Sequence, residues 1–531
     1  MTRLMKTLVL IFVCFTYAVF TQESPFSFKF EDSPSATAYS SSENPASNSI
    51  SAMLVQGDTI WLGTSRGLSR STDKGTTWRN YYGDPAFGTE NVSAIAWDKY
   101  RGILWVATAH SVVRTGQTLP EGSGLRYTSD GGETWQSVSQ PLDKDADTVI
   151  VYGNNRLRAL PVTVAIQNIT YDIAITPGTV WISSFAGGLR KSTDLGVTWE
   201  RVVLPPDFLN SIKPSDNLNF CVSPVPGKFC SEGYLNYRAF SVMAVNDTVI
   251  YAGTANGINK STDGGISWVK FNHQNQVNAM SGNFVVGLAF KPGTDEIWAA
   301  TWKAEDLSES YGVSFSPDGG ANWITSLDGE RVNNFAVFTD KVVAAASGGL
   351  YKSNDYGKNW YSPGIIVDSD SKLSLKSKTF YSAAWAESGI VLYIGTADGL
   401  VRNSGFTGVW PDKWKLYFAS QQLESKEDSY AFPNPFSPKT EQVKIKYSTG
   451  GKELNVTIRI FDFGMNYVRT VIQNAPRGNP VHSVNNSGTP GVIDFWDGKD
   501  DNGKTVPNGV YFYRIDAGSE KPLFGKIMVL Q

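Results

Sequence analysis

Cysteine and histidine are both scarce in this chain, three of each in 531 residues. Cys14 lies in an apolar N-terminal stretch, so only Cys221 and Cys230 remain beyond it, too few for a disulfide scaffold or a thiolate metal centre. His110, His273 and His482 are too dispersed for a metal site or a nucleophilic triad, and each is expected at the surface. No metal and no cofactor is expected. Charge is modest as well. Charged residues make up 18 % of the chain, and 47 basic residues against 50 acidic ones leave a formal net charge of −3. The basic residues are spread evenly, which excludes the electrostatic footprint of a nucleic-acid binder. No run of like charge marks a polybasic membrane patch. Past the N-terminus no segment approaches eighteen apolar residues, so no transmembrane segment is expected in the mature chain. Glycine pairs sit in turns with no helical pattern after them, which excludes a phosphate-binding loop.

What is abundant points to short strands and tight turns: 50 glycines and 13 % aromatic residues. Residues 1–21 have the form of a signal peptide, with Arg3 and Lys6 ahead of the apolar stretch Thr7 to Phe20. Cleavage after Ala18 and after Thr21 both fit. Bulky Ile11, Phe12 and Val13 ahead of Cys14 argue against a lipoprotein. Residues 22–47 form a lead segment. In the oxidising compartment that export implies, Cys221 and Cys230, which flank Pro224, Pro226 and Gly227, are expected to form a disulfide.

One pattern organises the next stretch: Gly-Leu or Gly-Ile, a basic residue, then Ser/Thr-x-Asp-x-Gly-x-x-Trp. The clearest copy runs from Gly67 to Trp78. The aspartates are Asp73, Asp130, Asp194, Asp263, Asp318 and Asp355, and a seventh copy from Gly399 to Trp410 has Gly405 in their place. Each copy follows strands such as Ile60 to Thr64, so the unit is four antiparallel strands, the blade of a propeller. In such a turn the carboxylate accepts backbone N–H groups, the glycine supplies positive φ and the tryptophan packs between blades. The pattern closely resembles the Asp-box (BNR) repeat of sialidases, sortilin-type receptors, two-propeller xyloglucanases and photosystem-assembly propellers. The resemblance covers residues 48–418 and implies a seven-bladed β-propeller in which the box aspartates are structural. It carries no catalytic site across: the Arg-Ile-Pro motif of sialidases is absent, and there is no room for a second propeller.

Successive repeat tryptophans lie 57, 64, 69, 55, 37 and 50 residues apart. A plain blade needs roughly 40–45 residues. The excess locates insertions at 110–122, 140–164, 204–238 and 302–311. By propeller geometry these leave the same face, opposite the Asp-box turns, which makes that face the expected functional surface. Its candidate ligand-binding residues are Tyr152, Phe220, Tyr234, Tyr237, Trp302 and Tyr311, for stacking on pyranose rings or peptide, with Asp216 and Glu305. Further carboxylates there are Asp143, Asp145, Asp147, Asp207, Glu232, Asp306 and Glu309, any two of which would serve as the acid and base of a glycosidase.

Residues 419–428 turn polar and form a linker, and residues 429–531 form a separate module. The module opens with Phe432-Pro433-Asn434-Pro435-Phe436, carries the turn Trp496 to Gly503 and ends in strands at Gly509 to Ile515 and Lys526 to Leu530. These motifs resemble the Ig-like module of flagellar hook-capping proteins and the type A sorting domain of the type IX secretion system. The Asp497-to-Asn502 cluster lacks EF-hand spacing and is expected to be a turn network. The fold class is therefore all-β, a seven-bladed β-propeller followed by a small Ig-like β-sandwich. The expected role is recognition of a glycan or an extracellular protein by a secreted or surface protein of a Gram-negative bacterium, exported by the type IX machinery. A glycoside hydrolase and a structural or adhesion component are the alternatives, and the sequence leaves catalysis open.

Overall fold

The structure is a computed structural model that describes residues 41–42, 44–369, 375, 377–386, 389–405, 408–418, 429–432, 434–439, 442–449, 452–477 and 492–531. The signal segment, most of the lead segment, the linker at 419–428 and His482 lie outside the described residues. Ten sheets are present among those residues, and the one helical segment is a single 3-10 turn at Leu235–Tyr237.

Seven sheets follow one another along the chain as antiparallel meanders. Their first strands are Ile50–Gln56, Asn91–Asp98, Thr170–Thr176, Ala239–Ala244, Phe284–Phe290, Val332–Phe338 and Phe380–Trp385. Each first strand packs against the next, and Phe380–Trp385 packs against Ile50–Gln56, so the sheets close into a ring. The closure is bonded as well as packed: Ser382 Oγ donates to the Ile50 carbonyl (3.2 Å) and the Tyr393 hydroxyl donates to the Lys74 carbonyl (3.2 Å). At this seam Trp78 of the first sheet is buried against Tyr393 and Leu400 of the seventh.

All seven first strands break register at the same place, skipping Ser51, Ser93, Tyr171, Phe240, Val286, Asn333 and Tyr381. A bulge raises the local twist and re-aims side chains, which lets polar residues at this level tie neighbouring sheets. Asp172 accepts the Val242 N–H (3.0 Å), and Asn334 accepts the Ala383 N–H (3.3 Å) at the matching place three seams further on.

The six aspartate turns repeat one network, each directly after the third strand of its sheet. In the first, Ser71 Oγ donates to Asp73 Oδ1 (2.8 Å) and accepts the Gly75 N–H (2.8 Å). Thr77 donates its N–H (2.8 Å) and its hydroxyl (2.6 Å) to the same carboxylate. Thr134, Thr198, Ser267, Asn322 and Asn359 occupy the position of Thr77 in the other five. That residue, just before the tryptophan, is a conserved-chemistry position the sequence pattern left blank. Donors from Thr134, Thr198 and Asn359 hold the carboxyls of Asp130, Asp194 and Asp355 below the usual range. These short local bonds favour the ionised carboxylate in each turn.

The C-terminal module is two sheets around one core. Ser429–Phe432, Val443–Tyr447 and Val492–Trp496 form one, and Leu454–Phe461, Tyr467–Arg477, Gly509–Ala517 and Leu523–Val529 the other. Ile445, Tyr447, Ile458, Trp496 and Tyr513 fill the space between.

Candidate functional site

The four insertions do not gather on one face. The one at 110–122 is a continuation of the second sheet, a long hairpin of Ile103–Arg114 and Gln117–Thr128 closed at Thr115 and Gly116. The one at 302–311 caps the fifth sheet, where the buried Glu309 accepts N–H groups from Asn283 (3.0 Å) and Ala304 (2.8 Å). The other two leave that face, which corrects the expectation of a single insertion-rich rim. Val149–Tyr152 and Asn155–Ala159 of the second insertion pair with Cys221–Val222 of the third as a separate small sheet. Ser211–Ile212 adds a strand outside Trp268–Phe271 of the fourth sheet. The Tyr152 hydroxyl reaches the Ile266 carbonyl (2.8 Å), inside the Asp263 turn and so on the far side of the ring. The two insertions thus run down the flank of the third and fourth sheets.

The physical reason is burial. Phe220, Tyr234 and Tyr237 are 7 %, 5 % and 3 % exposed, packed with Leu157, Ile212, Trp181 and Trp268 in one apolar cluster. Turning these rings inward removes more apolar surface from water than a loop could keep as an exposed stacking platform. Trp302 is buried too, its indole N–H donating to the Val332 carbonyl (2.7 Å). Tyr311 is half-buried under the Arg331 guanidinium, 4.6 Å from its ring centre. Cys221 and Cys230 are joined as a disulfide.

Most of the carboxylates are also occupied. Asp143 bonds Arg190 (2.8 Å) and accepts the Val162 N–H (2.7 Å). Burial raises the Asp143 pKa, but the Arg190 bond and charge outweigh it and hold the group ionised. Asp207 accepts two N–H groups of the 3-10 turn, at Leu235 (2.8 Å) and Asn236 (2.9 Å). Asp147, Asp216 and Asp306 close their own turns through Lys144, Lys213 and Ser308 N–H groups. Glu232 takes the Tyr234 hydroxyl, while Asp145 and Glu305 are exposed.

A different group stands out, and the sequence reading set its histidine aside. At the base of the long hairpin His110 lies opposite Glu121 in register. Its Nε2 is 3.2 Å from Glu121 and its Nδ1 2.9 Å from Glu90, which comes from the connection between the first and second sheets. Ser123 Oγ donates to the same Glu90 oxygen (2.6 Å), and Thr108 and Arg126 lie behind it. Each nitrogen–carboxylate contact needs a proton on one side of it. All three side chains are between a fifth and two-fifths exposed, so the group borders solvent. The signal was the two-residue turn at Thr115 and Gly116: taken as a hairpin, the 110–122 insertion puts residues 110 and 121 across from each other. Among the described residues no cluster of three His, Cys, Asp or Glu has metal-binding geometry, and no helix is long and apolar enough to cross a membrane.

No family model matches the chain. Among curated proteins it is similar to the oligoxyloglucan-reducing end-specific xyloglucanase of Emericella nidulans, 25 % identical over 258 residues, which are 45 % of this chain and 29 % of that enzyme. A probable enzyme of the same name from Neosartorya fischeri is 32 % identical over 100 residues, 18 % of this chain and 11 % of its own length. The chain thus spans less than a third of the curated relatives it matches. Among solved structures an ancestral GH74 enzyme aligns with a TM-score of 0.51 at 15 % identity, over 93 % of this chain and 64 % of that one. PorZ, a surface component of the type-IX secretion system of Porphyromonas gingivalis, aligns at 16 % identity with a TM-score of 0.33, over 89 % and 64 %. The GH74 likeness is one of fold, and with the closed ring of sheets it makes this an all-β, propeller-like protein.

Proposed function

We infer that the chain is a seven-bladed β-propeller that recognises a glycan outside the cell, with its ligand taken at the Glu90–His110–Glu121–Ser123 group. That group is the observation carrying the reading: an imidazole, a carboxylate and a hydroxyl on the second sheet and a second carboxylate, Glu90, on the connection leading into it, all open to solvent. Carboxylates and imidazole accept and donate to paired sugar hydroxyls, and sheet anchoring keeps them in place before the ligand arrives. The curated relatives, enzymes named for oligoxyloglucan, favour a glycan over a protein. In this reading the C-terminal sandwich is an Ig-like sorting domain that takes the protein out through the type IX machinery, and the mature protein is secreted or held at the surface of a Gram-negative cell.

Hydrolysis is the second reading, favoured by the same relatives. Against it, most of the carboxylates expected as an acid–base pair are spent on turns, caps and arginine. The test is a polysaccharide panel that includes xyloglucan, assayed for binding and for new reducing ends. Binding without release is expected, weakened about tenfold or more by Glu90→Gln with Glu121→Gln, the loss of charge-assisted bonds. Release that the same variants abolish would make the protein a hydrolase. Binding that they leave untouched would move the site elsewhere.

A further inference from the structure

The flank sheet built by the second and third insertions ends in an open edge. Among the described residues Val149–Tyr152 pairs with Asn155–Ala159 alone, and Asn155–Ala159 lies between it and Cys221–Val222. The Ala159 N–H donates to the Thr148 carbonyl (2.8 Å), which sets the hydrogen-bonded level of the hairpin. Alternation then turns the N–H and C=O groups of Val149 and Val151 away from the hairpin, toward the open edge. Their side chains are 43 % and 65 % exposed. Val149-Ile150-Val151-Tyr152 holds no proline, no lysine and no bulge, three of the devices by which natural sheets keep other strands off an edge.

The platform behind it is fixed. Ile150 and Tyr152 face the buried cluster around Trp181 and Trp268. Asn155 ties the turn by donating to the Tyr152 (3.1 Å) and Asp216 (2.8 Å) carbonyls, and the disulfide anchors the loop after Cys221. The outward face carries charge of one sign. Arg158 stands opposite Val149 and Arg156 opposite Val151, both exposed, and neither makes an ion pair among the described residues.

We propose that Val149–Tyr152 is a docking strand for an extended, acidic segment of a partner protein, which adds to the flank sheet as a further strand. A row of alternating N–H and C=O groups is matched by another extended backbone, not by a glycan. The exposed valines take alternate apolar side chains of the incoming strand, and Arg156 and Arg158 take its carboxylates. A second copy of the chain is the poorer occupant, because edge-to-edge pairing brings two pairs of arginines onto one face. The site is separate from the Glu90–His110–Glu121 group, so either proposal stands without the other.

The test is fluorescence anisotropy of a short fluorescein-labelled peptide alternating glutamate and valine, titrated with the mature full-length protein. Saturable binding is expected, weakened about tenfold or more by Arg156→Glu with Arg158→Glu. Val151→Pro is expected to abolish it, because that N–H faces the open edge and its loss leaves the hairpin bonds in place. Circular dichroism and glycan binding check the fold of each variant. Should Val151→Pro fail to fold, a peptide N-methylated on alternate residues blocks the same bonds from the other side and is expected not to bind. Equal binding of a lysine–valine peptide, or undiminished binding to the charge-reversed variant, would overturn the proposal. So would a dimer in light scattering that Val151→Pro dissolves, since the edge would then belong to a second copy.

Discussion

At the scale of the residue, Asp172 is the side chain whose ionisation the fold disturbs most usefully for experiment. It follows the bulge in the third sheet, accepts N–H groups from Val242 (3.0 Å) and Ile173 (2.9 Å), and is pushed by burial up to about 7. An unfolded aspartate titrates near 4. The native state therefore holds this proton longer than the unfolded state, and its stabilising contribution is full below about pH 4 and lost as pH rises through about 7. Asn334 performs the same bridging task in the sixth sheet without a charge. We expect Asp172→Asn to reduce the fall in melting temperature between about pH 5 and pH 8, read by scanning fluorimetry. Parallel pH profiles for the two proteins would show that Asp172 is not the group responsible.

At the scale of the element, the flank sheet tests how an insertion becomes structure. Cys221 and Cys230 close a loop with a sequence separation of 9, right after the strand that pairs with Asn155–Ala159. Chain-entropy arguments give such a closure about 2–3 kcal/mol. Cys221→Ser with Cys230→Ser should lower the urea midpoint accordingly and speed proteolysis within residues 204–238 before the ring itself opens. Loss of the whole ring at once would mean that flank and ring fold as one unit. The strands and turns of the ring were legible beforehand because apolar alternation and the Ser/Thr-x-Asp-x-Gly-x-x-Trp frame are local. The placement of Phe220, Tyr234 and Tyr237 was not, because an exposed loop aromatic and one covered by another insertion have the same local sequence.

At the scale of the whole molecule, the C-terminal sandwich rests on the ring. Lys444, 5 % exposed, pairs with Asp398 of the seventh sheet's turn and lies over the Phe432 and Phe495 rings. Phe495 meets Phe418 at 5.6 Å, and Ile493 joins the apolar cluster of Leu392, Ile394 and Phe418. Breaking a buried pair leaves one charge without compensation, at a cost of about 3–5 kcal/mol. Lys444→Glu should therefore release the sandwich, raising the radius of gyration in small-angle scattering and splitting thermal unfolding into two transitions. An unchanged radius would assign the docking to the apolar contacts.

The sequence by itself determined the repeating unit and its aspartate turns. These depend on spacing of a few residues, where backbone geometry and short hydrogen bonds act directly. Only the tertiary structure decided which aromatics are buried, which carboxylates are already bonded, and that His110 lies between Glu90 and Glu121. Those outcomes turn on residues far apart in the chain competing for the same apolar cover and the same protons, a competition that local sequence does not record.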